Sequence, residues 1–150
     1  MELALEFTFE AMLGEPLVPG AGPYGTRMVI PLASGTVSGE RINGTLGGTG
    51  ADWALVGTDG WARVDVRGQI LTDDGAVIFV TYGGVLELNE KVMLAMAAGD
   101  QGTEFEDQYF RVTPRLETGD ARYAWVNQAV FIARGRLIGG GVTYEVYRAT

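Results

Sequence analysis

Between residues 3 and 13 the chain alternates, with Leu3, Leu5, Phe7, Phe9, Ala11 and Leu13 on one parity and Glu2, Glu6, Thr8 and Glu10 mostly on the other. A period of two is that of a half-buried strand, so the pattern predicts a strand over Met1 to Leu13 with Leu3, Leu5, Phe7 and Phe9 buried. A one-residue slip would expose all of them. Pro16, Pro19 and Pro23 among the glycines of Gly14 to Gly25 predict a long loop. Short β-prone runs follow at Arg27 to Leu32, Thr36 to Val37 and Ile42 to Leu46, separated by glycines of the kind that mark bulges or sharp bends. Asp52 to Val56, Trp61 to Leu71 and Ala76 to Tyr82 continue as a meander, turned at Asp59-Gly60 and Asp73-Asp74-Gly75.

The period then changes. Asn89 to Ala98 is rich in helix formers, begins on an N-capping asparagine and is followed by Gly99, which predicts one short helix. Gly99 to Asp107 is a polar connection. Gln108 to Arg115, Tyr123 to Leu137 and Val142 to Tyr147 are expected as three closing antiparallel strands. About eight to ten short strands with one helix and no internal repeat predict a single all-β domain over residues 1–150. A closed antiparallel barrel, lipocalin-like or cyclase-like, is favoured over a sandwich because glycine recurs inside strands and several strands carry charge on one parity. Arg63, Asp65, Arg67 and Gln69 share one such face, and Tyr109, Arg111, Thr113 and Arg115 another. These faces meet either solvent or a polar lumen that holds a small ligand.

Composition narrows the chemistry. The 150 residues include 23 glycines and neither histidine nor cysteine. A Ser-His-Asp triad, a cysteine nucleophile, a disulfide and a sulfur or imidazole zinc site are therefore excluded. Eleven basic residues, Lys91 and ten scattered arginines, face 19 acidic ones for a formal charge of −8, which argues against a nucleic-acid partner. No apolar run is long enough to span a membrane, and the alternating start lacks the pattern of a signal peptide, so a cytoplasmic protein is expected. Asn43-Gly44-Thr45 fits a glycosylation sequon that such a protein would not use.

Gly20 to Gly25 matches G-x-G-x-x-G, but Pro23 removes an amide and a strand rather than a helix follows, so no nucleotide site is expected. Asp73, Asp74 and Asp107 are hard oxygen donors without the spacing of a calcium loop, and neither a metal nor another cofactor is expected. Ser34 and Ser38, the only serines, lack a usual base. The segment from Asp107 to Asn127 is more informative. If it forms a hairpin pairing odd residues with odd, Tyr109, Arg111, Trp125 and Asn127 make one patch of hydrogen-bond donors suited to an anionic or enolate oxygen. The alternative is a structural network in which Arg111 pairs with an acid across the sheet.

Gln108-Tyr-Phe-Arg-Val-Thr-Pro, Glu117-Thr-Gly, Tyr123-Ala-Trp-Val-Asn127 and Val142-Thr-Tyr-Glu-Val-Tyr147 resemble the motifs YFR, P-x-FETG, YxWLN and V-x-YDVY of domain-of-unknown-function family 3237. Gly25-Thr-Arg27, Gly50-Ala-Asp-Trp53, Asp65-Val-Arg67 and Thr72-Asp-Asp-Gly75-Ala are similar to its earlier motifs. The resemblance runs from about Leu3 to Tyr147, and Leu116, Val126 and Glu145 are mild departures. It implies a single-domain β-barrel, often oligomeric, and supplies no activity. Its motif positions fall on Arg27, Asp52, Trp53, Asp65, Arg67, Asp74, Tyr82, Tyr109, Arg111, Trp125 and Asn127, which are expected to share a lumen.

These readings converge on a small-molecule-binding barrel, expected to be a homo-oligomer. Its leading function is that of a cofactor-independent isomerase, lyase or cyclase acting on a small carbonyl or aromatic metabolite. Asp52 or Asp74 would move a proton, and Arg111, helped by Asn127 and Tyr109, would hold the oxyanion. Trp53, Trp125 and Tyr82 would form apolar walls, and Arg111 is expected to point into the lumen beside Asp52, Asp65 or Asp74. A non-catalytic ligand-binding barrel and a structural or assembly protein are the alternatives.

Overall fold

The computed structural model describes all residues 1–150. Its strands are β1 (Leu3–Leu13), β2 (Leu17–Gly22), β3 (Gly25–Gly39), β4 (Asn43–Val56), β5 (Trp61–Thr72), β6 (Val77–Glu87), β7 (Phe110–Glu117), β8 (Phe131–Ile138) and β9 (Gly141–Ala149). They form one antiparallel sheet in the order β1-β9-β8-β7-β6-β5-β4-β3-β2, and β1 also pairs with β3. That last pairing closes eight strands into a barrel and leaves β2 as an extra strand on the edge of β3. Helix α1 (Glu90–Ala98) lies between β6 and β7, capped by the Asn89 side chain on the Val92 N–H and ended by Gly99 at φ 79°, a left-handed conformation suited to glycine. No helix is long and apolar enough to cross a membrane.

Strand parity builds the interior. On β5, Ala62, Val64, Val66 and Ile70 are buried while Arg63, Asp65 and Arg67 face out. On β7, Phe110, Val112 and Leu116 are buried while Arg111, Thr113 and Arg115 lie on the outer wall. The charged faces thus meet solvent rather than a polar lumen. The glycine-rich stretches do mark bends: the β3–β4 register shifts between Pro31 and Thr36, and the β4–β5 register between Gly47 and Ala51.

Three local expectations are corrected. Phe7, Phe9 and Ala11 are buried, but Leu3 and Leu5 are each 57% exposed. A bulge between Leu5 and Phe7 in the β1–β9 pairing shifts the parity, turning the leucines out and the Glu6 carboxylate in, where Arg41 and Arg148 bind it at 2.6 Å each. The expected loop at Gly14 to Gly25 contains β2, because an edge strand tolerates a proline whose missing N–H would leave a gap in an interior ladder. The expected strand at Tyr123 to Leu137 is instead a 3-10 helix over Ala121–Gln128 followed by β8. Asp120 caps that helix through the Arg122 N–H, and Asn127 bonds back to both the N–H and the carbonyl of Thr118. Tyr123 and Val126 are buried beneath it, at the end of the barrel opposite α1.

Candidate functional site

Beneath α1 the barrel holds a cavity of about 360 Å³, within the usual range for small-molecule sites. Its walls are apolar: Met28, Ile30 and Leu32 from β3, Ala54 and Val56 from β4, Val64 and Val66 from β5. Leu13 of β1, Leu137 of β8 and Met96 of α1 stand around it as well. Asp52 is the one ionisable acid on the wall, and no arginine or lysine reaches it.

Asp52 occupies the lumen parity of β4 with Ala54 and Val56, opposite Ile30 on β3 and Val66 on β5. Its Oδ1 accepts the backbone N–H of Asp65 at 2.9 Å. Burial penalises the charged carboxylate, and although that hydrogen bond works the other way, the Asp52 pKa is raised to about 6; the negative Asp65 nearby adds to the rise.

Tyr82 and Tyr144 form the floor. Val66 stands between Asp52 and Tyr82 in one row across β4, β5 and β6, which puts the two backbones about 10 Å apart, with both side chains entering the lumen. Tyr144 reaches in from β9, its ring edge-on to Tyr82 with centroids 5.4 Å apart and to Phe110 at 5.2 Å. Burial pushes both hydroxyls above the ordinary phenol range, and the negative Asp52 pushes the same way, so both stay protonated donors at neutral pH. Gly135 makes room for this floor. It faces Tyr144 across β8 and β9, and a Cβ there would lie 2.6 Å from the Phe110 ring and 2.9 Å from that of Tyr144.

Of the residues proposed from sequence, only Asp52 and Tyr82 meet in the lumen. Arg111 is on the outer wall, its Nη1 donating to the Phe110 carbonyl at 3.0 Å and its guanidinium 5.0 Å from the exposed Tyr109 ring, with no carboxylate bound. The expected lumen pair of Arg111 with an acid is therefore absent. Arg27 donates to the Trp53 carbonyl at 2.8 Å, and Trp53, Asp65 and Arg67 share the outer face of the wall. Trp53 is accordingly not an apolar lumen wall. Asp74 lies in the β5–β6 turn at the far end, accepting from Thr72 at 2.6 Å and Tyr123 at 2.8 Å, with Arg122 beside it. Those hydrogen bonds and the Arg122 charge hold its carboxyl below its ordinary value.

Trp125 is also at that far end, with the Arg41 guanidinium 3.5 Å above its ring, and Asn127 serves the Thr118 backbone. The Tyr109, Arg111, Trp125 and Asn127 patch does not form, because the 3-10 helix carries its second half away from the wall. Tyr144 is the cavity residue that sequence reasoning missed. The signal was present: it shares the parity of Val142 and Val146, which placed a hydroxyl among inward apolar residues.

A model of the family described as Protein of unknown function (DUF3237) matches residues 1–149. The chain belongs to this family. A UPF0311 protein of Rhodopseudomonas palustris (strain TIE-1) is 29% identical over 148 residues, covering 99% of this chain and 96% of its own. The crystal structure of a conserved protein of unknown function from Rhodopseudomonas palustris superposes with a TM-score of 0.87 at 30% identity, over 98% of this chain and 96% of that one. An enzyme from Penicillium herquei is similar in fold, with a TM-score of 0.70 at 18% identity over 97% of this chain and 93% of that one, a likeness of fold alone.

Proposed function

We propose that the barrel is a cofactor-independent enzyme that moves a proton on a small carbonyl or aromatic compound bound in its lumen, as an isomerase, lyase or cyclase would. The observation that carries this reading is a lone carboxyl with a pKa of about 6 in an apolar chamber floored by two neutral tyrosine hydroxyls. At pH 7 Asp52 is mostly ionised and able to act as a base, yet its raised pKa keeps the conjugate acid ready to return the proton.

For a β,γ-unsaturated ketone the steps balance simply. Asp52 Oδ takes a proton from the carbon next to the carbonyl, and the C–H electron pair moves to form the enolate. The Tyr82 and Tyr144 hydroxyls donate hydrogen bonds to the oxygen where charge develops, and protonated Asp52 then delivers the proton to the γ-carbon of the dienolate, whose double bond moves into conjugation as the carbonyl re-forms. The role first expected of Arg111 passes to these tyrosines.

The test is deuterium incorporation from D2O into a panel of cyclic ketones and phenols, followed by NMR. Exchange that rises through a midpoint near pH 6 and is lost in Asp52→Asn is the expected result. Ligands that shift the melting temperature but show no enzyme-dependent exchange anywhere in the panel would replace this reading with a non-catalytic binding barrel.

A further inference from the structure

We propose that the lumen is a charge filter that admits uncharged aromatic or carbonyl ligands and rejects those bearing a carboxylate, sulfonate or phosphate. The inference rests on the lumen being the ligand site of the preceding section, though not on turnover. Its basis is where the cations go. Eight arginines sit on strands that contribute to the cavity wall, and none of them lines the cavity. Arg27 serves the Trp53 carbonyl, Arg63 pairs with Asp59, Arg67 lies 5.7 Å from the Trp53 ring, and Arg111 serves the Phe110 carbonyl. Lys91, on the helix above the cavity, is held by Asp107 at 2.6 Å.

An anion entering the chamber would thus shed water without meeting a positive charge, and it would face the Asp52 carboxylate. The tyrosine hydroxyls offer it hydrogen bonds, as they would to a neutral oxygen, but no countercharge. A neutral phenol or ketone satisfies the same hydroxyls with no uncompensated charge, and its rings take up the apolar wall. The filter has a built-in pH sense. The titratable groups that act on Asp52 are Asp65, whose side chain lies on the outer face of β5, and Tyr82 from β6 and Tyr144 from β9, while β3 presents Ile30; none of them supplies a cation. Protonating Asp52 therefore removes the repulsive charge, and discrimination against anions relaxes in acid.

Matched probes of one shape, 2-naphthol and 2-naphthoate, test this by calorimetric titration of the intact protein at pH 8 and pH 5. At pH 8 naphthol is expected to bind at least about thirty-fold tighter than naphthoate, an unpaired buried charge being the heavier cost. The ratio should narrow severalfold at pH 5 and also in Asp52→Asn at pH 8. Ala54→Trp, which fills the chamber, should abolish naphthol binding, while circular dichroism reports whether that variant is folded; the wild-type ratio needs no variant at all. Naphthoate binding within threefold of naphthol, or no naphthol binding at its solubility limit, would overturn the filter. Ketone exchange persisting alongside tight naphthoate binding would sink the filter alone, whereas an intact filter without exchange would sink the reaction alone.

Discussion

The two ends of the barrel each bury a carboxylate, and they treat it in opposite ways. At the end closed by the 3-10 helix, Glu6 lies between Arg41 and Arg148, its side chain only 8% exposed. Burial by itself raises its pKa, but the hydrogen bonds and charges of the two guanidinium groups outweigh that and bring it below the ordinary value. Under α1, Asp52 accepts a backbone N–H but has no cation beside it, and burial prevails. Desolvation acts on both acids, so the direction of each shift is decided by whether the fold supplies a cation. One end spends the burial of Leu3 and Leu5 to staple Glu6 in place; the other leaves an acid reactive.

Removing the staple should produce the largest effect. Replacing both Arg41 and Arg148 with Met leaves Glu6 inside without a partner, and a loss on the order of 2–3 kcal/mol is expected in urea unfolding at pH 7, less than for a fully enclosed pair because both arginines are partly exposed. The Glu6 pKa should then move above its ordinary value and so come to resemble that of Asp52. In the wild type its lowered pKa stabilises the fold above the unfolded-state value and loses that contribution as pH falls through the folded one.

Gly135→Ala should come next, at roughly 2 kcal/mol, since the new methyl group meets the Phe110 and Tyr144 rings of the floor. Changes in the near-ultraviolet circular dichroism should accompany the loss. If stability were unchanged, the floor would be looser than described.

Asp52→Asn should act in the opposite sense. The folded-state pKa of Asp52 lies above its unfolded value of 3.8, so its charge destabilises the fold fully above about pH 6, and that penalty fades on acidification towards pH 4. The amide is therefore expected to stabilise the protein at pH 8, by an amount on the order of 2 kcal/mol, and to have almost no effect at pH 4. Stabilisation independent of pH would contradict the contrast drawn between the two ends. Arg111→Met, on the outer wall, should change stability by no more than about 0.5 kcal/mol and leave ligand binding unaltered. A large effect on binding would restore the role first expected for it.

Much of the architecture was legible because parity is a local property. Val64 and Val66 against Arg63, Asp65 and Arg67 identify a barrel wall without any knowledge of its neighbours. Which parity faces the lumen depends on long-range closure, and there the charged positions drew attention away from the apolar ones. Asp52 among Ala54 and Val56, and Tyr144 between Val142 and Val146, are polar exceptions on apolar faces, and these two carried the information about the site. Motif membership did not separate Asp52 from Asp74 or Arg111, since residues that hold turns and edges share the same motifs as those in the chamber. The bulge at Glu6 and the 3-10 helix were hidden for a further reason. Each is stabilised by partners distant in sequence or by side-chain bonds to backbone, Arg41 and Arg148 for the one and Asn127 to Thr118 for the other. Hydrophobic periodicity registers neither.

Proton transfer in the lumen depends most directly on the ionisation of Asp52. Carbon-detected NMR of the carboxyl groups across pH 3 to 9, with Asp52→Asn identifying the resonance, measures it in the absence of any ligand. A midpoint near 6 is expected, well separated from that of Asp74, which should stay below the ordinary aspartate value. An Asp52 midpoint below 4 would mean that water or an unrecognised cation compensates the charge, and would contradict both the proton-transfer role and the cation-free lumen.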